Sequence, residues 1–191
     1  DDPYLQNDLG LTYMGKNKLD LAVKHFKKAI KIKPDYAPAK NNLGTAYLKK
    51  GEWDTAIPYF KEVAENLIYT TPHFPLSNLG WAYYNKKEYV LAEKYYLDAL
   101  HIEPKFVNAL LGIGQTYIAM GRIPEAVATL KKTVHMYPRF PQAYIELAKA
   151  YTKSRNYKKA LAAYNKIIEI APGTPIAQEA ARRAQRIRSM R

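Results

Sequence analysis

Apolar residues in this chain fall at i, i+4 and i+7 within short segments, and the segments return on a fixed cycle. Leu9, Gly10 and Tyr13 are followed by Ala22, Phe26 and Ala29. The same spacing reappears as Leu79, Gly80, Tyr83, Ala92, Tyr96 and Ala99, and again as Leu147, Ala148, Tyr151, Ala160, Tyr164 and Ile167. Each half of a cycle predicts one amphipathic helix, because 3.6 residues per turn bring such positions onto one face. Gly10, Gly44, Gly80 and Gly114, with Ala148 in the fifth place, stand 34, 36, 34 and 34 residues apart. Such a period marks a repeat protein, in which one helical hairpin cannot bury its own apolar face and stacks on its neighbours.

Alignment on these glycines divides the chain into units 3–36, 37–72, 73–106, 107–140 and 141–174, followed by a terminal segment 175–191. Small residues at unit positions 8 and 20 let the two helices of a hairpin approach closely, and the position-11 tyrosine fills the space above them. Gly15, Gly51 and Gly121 are expected in the turns inside the hairpins. The prolines at position 32, Pro34, Pro104, Pro138 and Pro172, are expected to stop the second helices. Unit two departs from the pattern. It lacks that proline, carries two additional residues in the stretch from Leu67 to Pro75, and has Pro58 inside its second helix. A longer, irregular joint and a kink are expected there. In the terminal segment Thr174 reads as an N-cap and Pro175 as the first helical residue. Ile176, Ala180, Ala184 and Ile187 form a narrow apolar stripe among arginines, the pattern of a capping helix.

Composition changes this picture in one respect. Of the net charge of +13, residues 141–191 hold most, with 11 Lys/Arg against 3 Asp/Glu. That skew attracts phosphates, anionic lipid or an acidic protein, and nucleic acid is one rival partner, with Tyr144 and Tyr157 interleaved among the basic residues. There is no cysteine, so neither disulfides nor thiolate metal sites arise. Motifs for phosphate loops, dinucleotide binding, nucleophile elbows and zinc proteases are missing. His25, His73, His101 and His135 are scattered, although His101 and His135 share a unit position. No catalysis, cofactor or metal is expected. No apolar run approaches the ~20 residues that span a bilayer. The chain begins Asp1-Asp2-Pro3, from which an upstream segment, a leader or lipid anchor among the options, is expected to have been removed.

The repeated Leu-Gly-x-x-Tyr, Ala, aromatic, Ala and Pro positions resemble the tetratricopeptide repeat over nearly the whole chain. The resemblance implies an all-α fold, a right-handed superhelix of five helix-turn-helix units closed by the capping helix. It also implies a concave groove lined by the first helix of each unit and used for non-catalytic binding of a peptide or protein segment. On that pattern the groove residues are Asn41, Asn42, Thr45, Phe74, Ser77, Asn78, Trp81, Tyr84, Leu111, Gln115 and Ile118. Asn42 and Asn78 resemble two rungs of the asparagine ladder with which some members grip a peptide backbone; Asp8, Gly112 and Glu146 occupy the other rungs. The cationic clamp for chaperone tails is missing, since its places hold Asn7, Leu11, Asn42, Phe74 and Asn78. A segment with apolar anchors fits this groove, and self-association into a scaffold is the alternative. More narrowly, Asn66-Leu67-Ile68-Tyr69 followed by Leu76 to Tyr84 is similar to type IV pilus biogenesis and stability lipoproteins, bacterial proteins of this repeat class. That resemblance implies a periplasmic or outer-membrane setting, with a lipid-bearing cysteine upstream of Asp1; without it a cytoplasmic location is expected.

Overall fold

In the computed structural model, which describes residues 2–66 and 69–189, the described residues form eleven α-helices and no strand. They group into two compact units, Asp1–Pro104 and Lys105–Arg191. The first unit holds α1 (Pro3–Gly15), α2 (Leu19–Ile32), α3 (Ala37–Lys50), α4 (Trp53–Ala64), α5 (His73–Asn85) and α6 (Tyr89–Ile102). The second holds α7 (Val107–Ala119), α8 (Ile123–Met136), α9 (Pro141–Lys153), α10 (Tyr157–Ile170) and α11 (Pro175–Arg188). Consecutive helices pack as hairpins, and within a unit each hairpin packs on the next.

The helix ends follow from local chemistry. Asp2 caps α1 by accepting from the amides of Tyr4 and Leu5 at 2.8 and 3.4 Å, with Pro3 at the first helical position. At the other ends, steric clash with a proline ring drives the preceding residue out of the helical region. Lys33, Glu103 and Tyr137 accordingly have φ of −131°, −128° and −126° with ψ of 91°, 90° and 68°. Glu65 has no proline after it and stays right-handed, at φ −82° and ψ −10°. The joint that follows spans residues 65–72, whereas the equivalent joints span only 33–36, 103–106 and 137–140. Leu67 and Ile68, part of the expected irregular stretch, lie outside the described residues. α4 continues through Pro58, whose ring is exposed, and is two residues shorter than α2 and α6.

Inside the first four hairpins the ring or branched side chain at position 24 lies against the position-8 glycine. A Cβ built on Gly10 would run into the Phe26 ring, and one on Gly44 would stand 2.8 Å from Phe60. These distances leave no room for a methyl group, so the helices approach at the closest spacing their backbones permit. Above this contact the position-11 tyrosines stack on position 23: Tyr13 on His25, Tyr47 on Tyr59 and Tyr83 on Tyr95, with centroids 5.1, 6.0 and 5.3 Å apart. Burial pushes the phenol of Tyr96 far above its usual range, as expected of a core ring. In the second unit Ile145, Ala148, Tyr164 and Ile167 form one core with Ala180, Ala184 and Ile187, so α11 caps α10 with the expected stripe.

The turns inside the hairpins correct one expectation. Position 15 is left-handed in all five units: Asn17 at φ 56°, Gly51 at 80°, Lys87 at 63°, Gly121 at 77° and Arg155 at 57°. Gly51 and Gly121 are therefore turn residues as expected, whereas Gly15 is the last residue of α1 and Asn17 takes the left-handed place. Asparagine tolerates that region through local hydrogen bonding, but lysine and arginine adopt it at a steric cost.

Candidate functional site

The first helices of the first unit present a polar and aromatic face built from α1, α3 and α5. Asn42 on α3 donates from Nδ2 to Oδ1 of the buried Asn7 on α1 at 2.9 Å. Asn78 on α5 directs Nδ2 toward Asn41 Oδ1 at 3.3 Å and Thr45 Oγ1 at 3.4 Å, while the Thr45 hydroxyl donates to the Asn41 carbonyl at 2.9 Å. Because these amides sit at positions 5 and 6 of successive units, stacking the hairpins brings them into one line. The line has the asparagines bonded to one another, with both of the long contacts made by Asn78 available for exchange against a better acceptor.

Phe74, Asn78 and Trp81 stand at i, i+4 and i+7 on α5 and so share one face. Phe74 is 42% exposed and Trp81 is 40% exposed, large apolar areas for a helix whose other face is core. His73 lies beside Phe74 with ring centroids 4.5 Å apart, and Asn85 Nδ2 donates to the Trp81 carbonyl at 2.8 Å. Tyr84 is half-buried, its ring 5.7 Å from that of Tyr89 on α6. Ser77 is buried. Beside the long joint a cavity of about 390 Å³ is lined by Lys33, Tyr36, Pro38, Asn66, Tyr69 and Thr70 among others.

In the second unit the named residues lie on α7, where Leu111 and Ile118 are buried and Gln115 is half-buried. Gln115 Nε2 donates to Glu146 Oε1 on α9 at 3.0 Å, and Lys149 Nζ reaches the same oxygen at 2.8 Å. Glu146 is only 3% exposed, so this carboxylate sits out of water held by a cation and an amide. Sequence reasoning named Glu146 only as a missing asparagine rung; its i, i+3 spacing to Lys149 was the available signal. On α11 the arginines are partly neutralised: Glu179 accepts from Arg182 at 2.8 Å and from Arg183 at 2.6 Å, which holds its carboxyl below the usual range. A cavity of about 330 Å³ there is lined by Thr152, Tyr164, Glu179, Arg183, Arg186 and Ile187.

His101 and His135 fall in the last turns of α6 and α8. Among the described residues no group of three His, Asp or Glu is placed to hold a metal ion. Among the described residues no helix is long and apolar enough to cross a membrane.

Known proteins match this arrangement. Sequence models of the tetratricopeptide repeat match residues 10–51, 41–71, 83–135 and 111–175, which together take in most of the chain. Over 53 residues the chain is 38% identical to protein O-mannosyl-transferase TMTC3 of Mus musculus, a stretch that is 28% of this chain and only 6% of that protein's length. Among solved structures, PilW, a widely conserved type IV pilus biogenesis factor, has a TM-score of 0.86 over 94% of this chain and 82% of its own, at 21% identity. YrrB, a TPR protein with an unusual peptide-binding site, has a TM-score of 0.67 over 93% of this chain and 90% of its own, at 20% identity. At such identities the likeness to both structures is one of fold. Four sequence matches, the 34-residue beat and the glycine-on-ring contact at its centre agree: the chain belongs to the tetratricopeptide repeat family.

Proposed function

We propose that this protein is a non-catalytic interaction scaffold that takes a peptide or protein segment with apolar anchors along the face of α3 and α5. The tetratricopeptide fold is a protein-interaction fold, and the single observation that carries the finer reading is the pairing of exposed Phe74 and Trp81 with the amide line of Asn41, Asn42 and Asn78. Aromatic side chains supply large contact area at low entropy cost, and the amides supply donors and acceptors for an extended backbone. In the second unit Leu111, Gln115 and Ile118 hold unit positions 5, 9 and 12 on α7 and are proposed as groove residues of that unit. A setting in bacterial envelope or pilus assembly is supported by the narrow sequence resemblance and by the likeness to PilW.

The test begins with peptides selected from a random library on the full chain. Binding of a selected peptide is then measured against a variant carrying Trp81→Ala and Tyr84→Ala. The expected loss is about 2 kcal/mol or more, the scale of an aromatic hot spot, with helical content unchanged by circular dichroism. Unchanged affinity removes the α5 face as the site, and lost helicity assigns the rings to the core.

A further inference from the structure

We propose that the second unit reads acidic side chains of an extended protein segment through a row of donors formed by Gln115, Lys149 and Arg183. α11 packs on α10 as α9 packs on α8, so counting from Pro175 its residues keep the positions of a first helix. Gln115 on α7, Lys149 on α9 and Arg183 on α11 then share unit position 9. α7 packs on α9, and Ile145 of α9 lies in one core with Ala180 and Ile187 of α11, so successive first helices bring the three side chains into line. In the first unit the same position holds Leu11, Thr45 and Trp81, none of them charged.

Each donor is tied to a carboxylate. Gln115 Nε2 and Lys149 Nζ meet Oε1 of Glu146 at 3.0 and 2.8 Å, and Arg183 Nε donates to Oε1 of Glu179 at 2.6 Å. Glu146 is 3% exposed, whereas the side chains of Lys149 and Arg183 are 38% and 44% exposed, so the acid lies inside and the cations reach solvent. A lysine ammonium has three N–H groups and a guanidinium five, and both therefore keep donors for a ligand beyond those the carboxylates take. Side chains already held in this way lose less entropy on binding. Position 9 keeps its access to solvent where helices stand on both sides, as half-buried Thr45 on α3 and Lys149 on α9 show, so the access of Arg183 is set by its position in the repeat.

Charge and burial identify the kind of ligand. Glu179 also accepts from Arg182 at 2.8 Å, and Arg186 lines the cavity of about 330 Å³ with Arg183. Four cations thus stand around the row against the two carboxylates of Glu146 and Glu179, a surplus that favours an anionic partner. A nucleic-acid strand is held by bases stacked on open rings, and Tyr164, the ring in the cavity wall, is only 2% exposed. Glu146 and Glu179 also oppose a continuous run of phosphates, whereas carboxylates spaced along a protein segment meet the donors singly. In an extended segment alternate side chains point to one side, which places glutamates two residues apart on the face that meets the row.

The experiment selects a peptide on the full chain from a library of acetylated, amidated peptides of about twelve residues with glutamate at alternate places, so that side chains alone supply carboxylates. Saturable binding of the labelled peptide is expected, with a loss of about tenfold or more when its glutamates become glutamines. Lys149→Gln with Arg183→Gln should weaken it roughly tenfold, whereas Lys158→Gln with Arg188→Gln, the same change of charge at exposed cations outside the row, should cost less than about threefold. Should Lys149→Gln lower helical content, Arg183→Gln alone carries the test, with a loss of about threefold against no change for Arg188→Gln. Glu146→Gln raises the net charge but loosens the donors: a held row binds about two- to fourfold weaker, where a surface acting by charge alone binds tighter. The row shares only Gln115 with the groove residues proposed above, and Trp81→Ala, which should leave this binding unchanged, separates the two readings. Failure to select a saturable binder, equal losses from the two double variants at intact helical content, or equal or tighter binding after Glu146→Gln overturns the proposal. So does single-stranded DNA that displaces the peptide and depends on Lys149 and Arg183, since the occupant is then a nucleic acid.

Discussion

Lys87 and Arg155 sit in left-handed turns at φ 63° and 57°, and replacing either with glycine should stabilise the protein. An L-residue with a Cβ in this region costs about 1–2 kcal/mol, from the approach of Cβ to the following carbonyl oxygen. Glycine removes that cost but brings about 0.5–1 kcal/mol of additional chain entropy in the unfolded state. The difference leaves a net gain of about 0.5–1 kcal/mol for each site. Neither side chain offsets the change: both residues are exposed, and their amides, bonded to Tyr84 and Thr152 carbonyls at 3.0 Å, persist in glycine. The sites lie in different compact units, so the double variant should gain about 1–2 kcal/mol, a rise in Tm of about 2–8 °C for a chain of this size. Urea denaturation followed by circular dichroism measures it, with an unchanged slope showing that the effect is on stability. Gly51→Ala and Gly121→Ala, which impose the strain where glycine relieves it, should lose about 1 kcal/mol each. If both lysine and arginine variants are neutral or destabilised while the glycine variants behave as stated, the left-handed geometry is not what limits those turns.

Two further perturbations probe the packing. Gly10→Ala places a methyl carbon into the Phe26 ring; overpacking of about 1–3 kcal/mol outweighs a helix-propensity gain of about 1 kcal/mol, so a net loss of about 1–2 kcal/mol is expected from the urea midpoints. A stabilised variant would show that the ring swings aside freely. His25 titrates below its ordinary value because burial, and then the positive charges of Lys28 and Lys24, disfavour its protonated form. The unfolded chain therefore takes up this proton first as pH falls through about 6.5, and stability declines from there toward the lower folded value. His25→Gln should flatten the difference in urea midpoint between pH 8 and pH 5 relative to wild type; an equal difference in both proteins assigns the pH dependence elsewhere.

The fold was legible because its determinants are short-range and repeated. A glycine, a ring sixteen residues later and a proline eight beyond that specify a hairpin and its stop by sterics alone, and Lys33, Glu103 and Tyr137 show the backbone response. Thr174 and Pro175 likewise announced α11, where the Thr174 hydroxyl accepts from Ala177 N at 3.4 Å. Gly15 was misplaced because a glycine two residues before the true turn position has the same composition signal; only the phase, fixed by Gly51 and Gly121, separates them. The surface chemistry was legible only in part. Asn42 and Asn78 were visible as candidates, but their bonds to Asn7, Asn41 and Thr45 depend on which hairpins stack. The burial of Glu146 against Gln115 is a pairing across 31 residues that no local pattern encodes.

Departures from the repeat carry the remaining information, because stacking alone would not select them. The consensus residue at each position is the one that packing between hairpins favours. A departure that lowers stability with no packing return is then held by another requirement. Phe74 and Trp81 half-open on a helix with ample core of its own, and Lys87 in a turn position that Gly51 and Gly121 fill elsewhere, immediately after α5, are of this kind. All three lie on or beside α5, after the joint that lacks the position-32 proline. The joint without the position-32 proline runs over residues 65–72 and so gives α5 a longer connection than the joints at 33–36, 103–106 and 137–140. The exposed rings of Phe74 and Trp81 follow that longer connection, and they are the residues proposed to meet a partner. On this reasoning, restoring the joint to the length of its neighbours should leave the hairpins folded while changing the α5 face, separating what holds the stack together from what it displays.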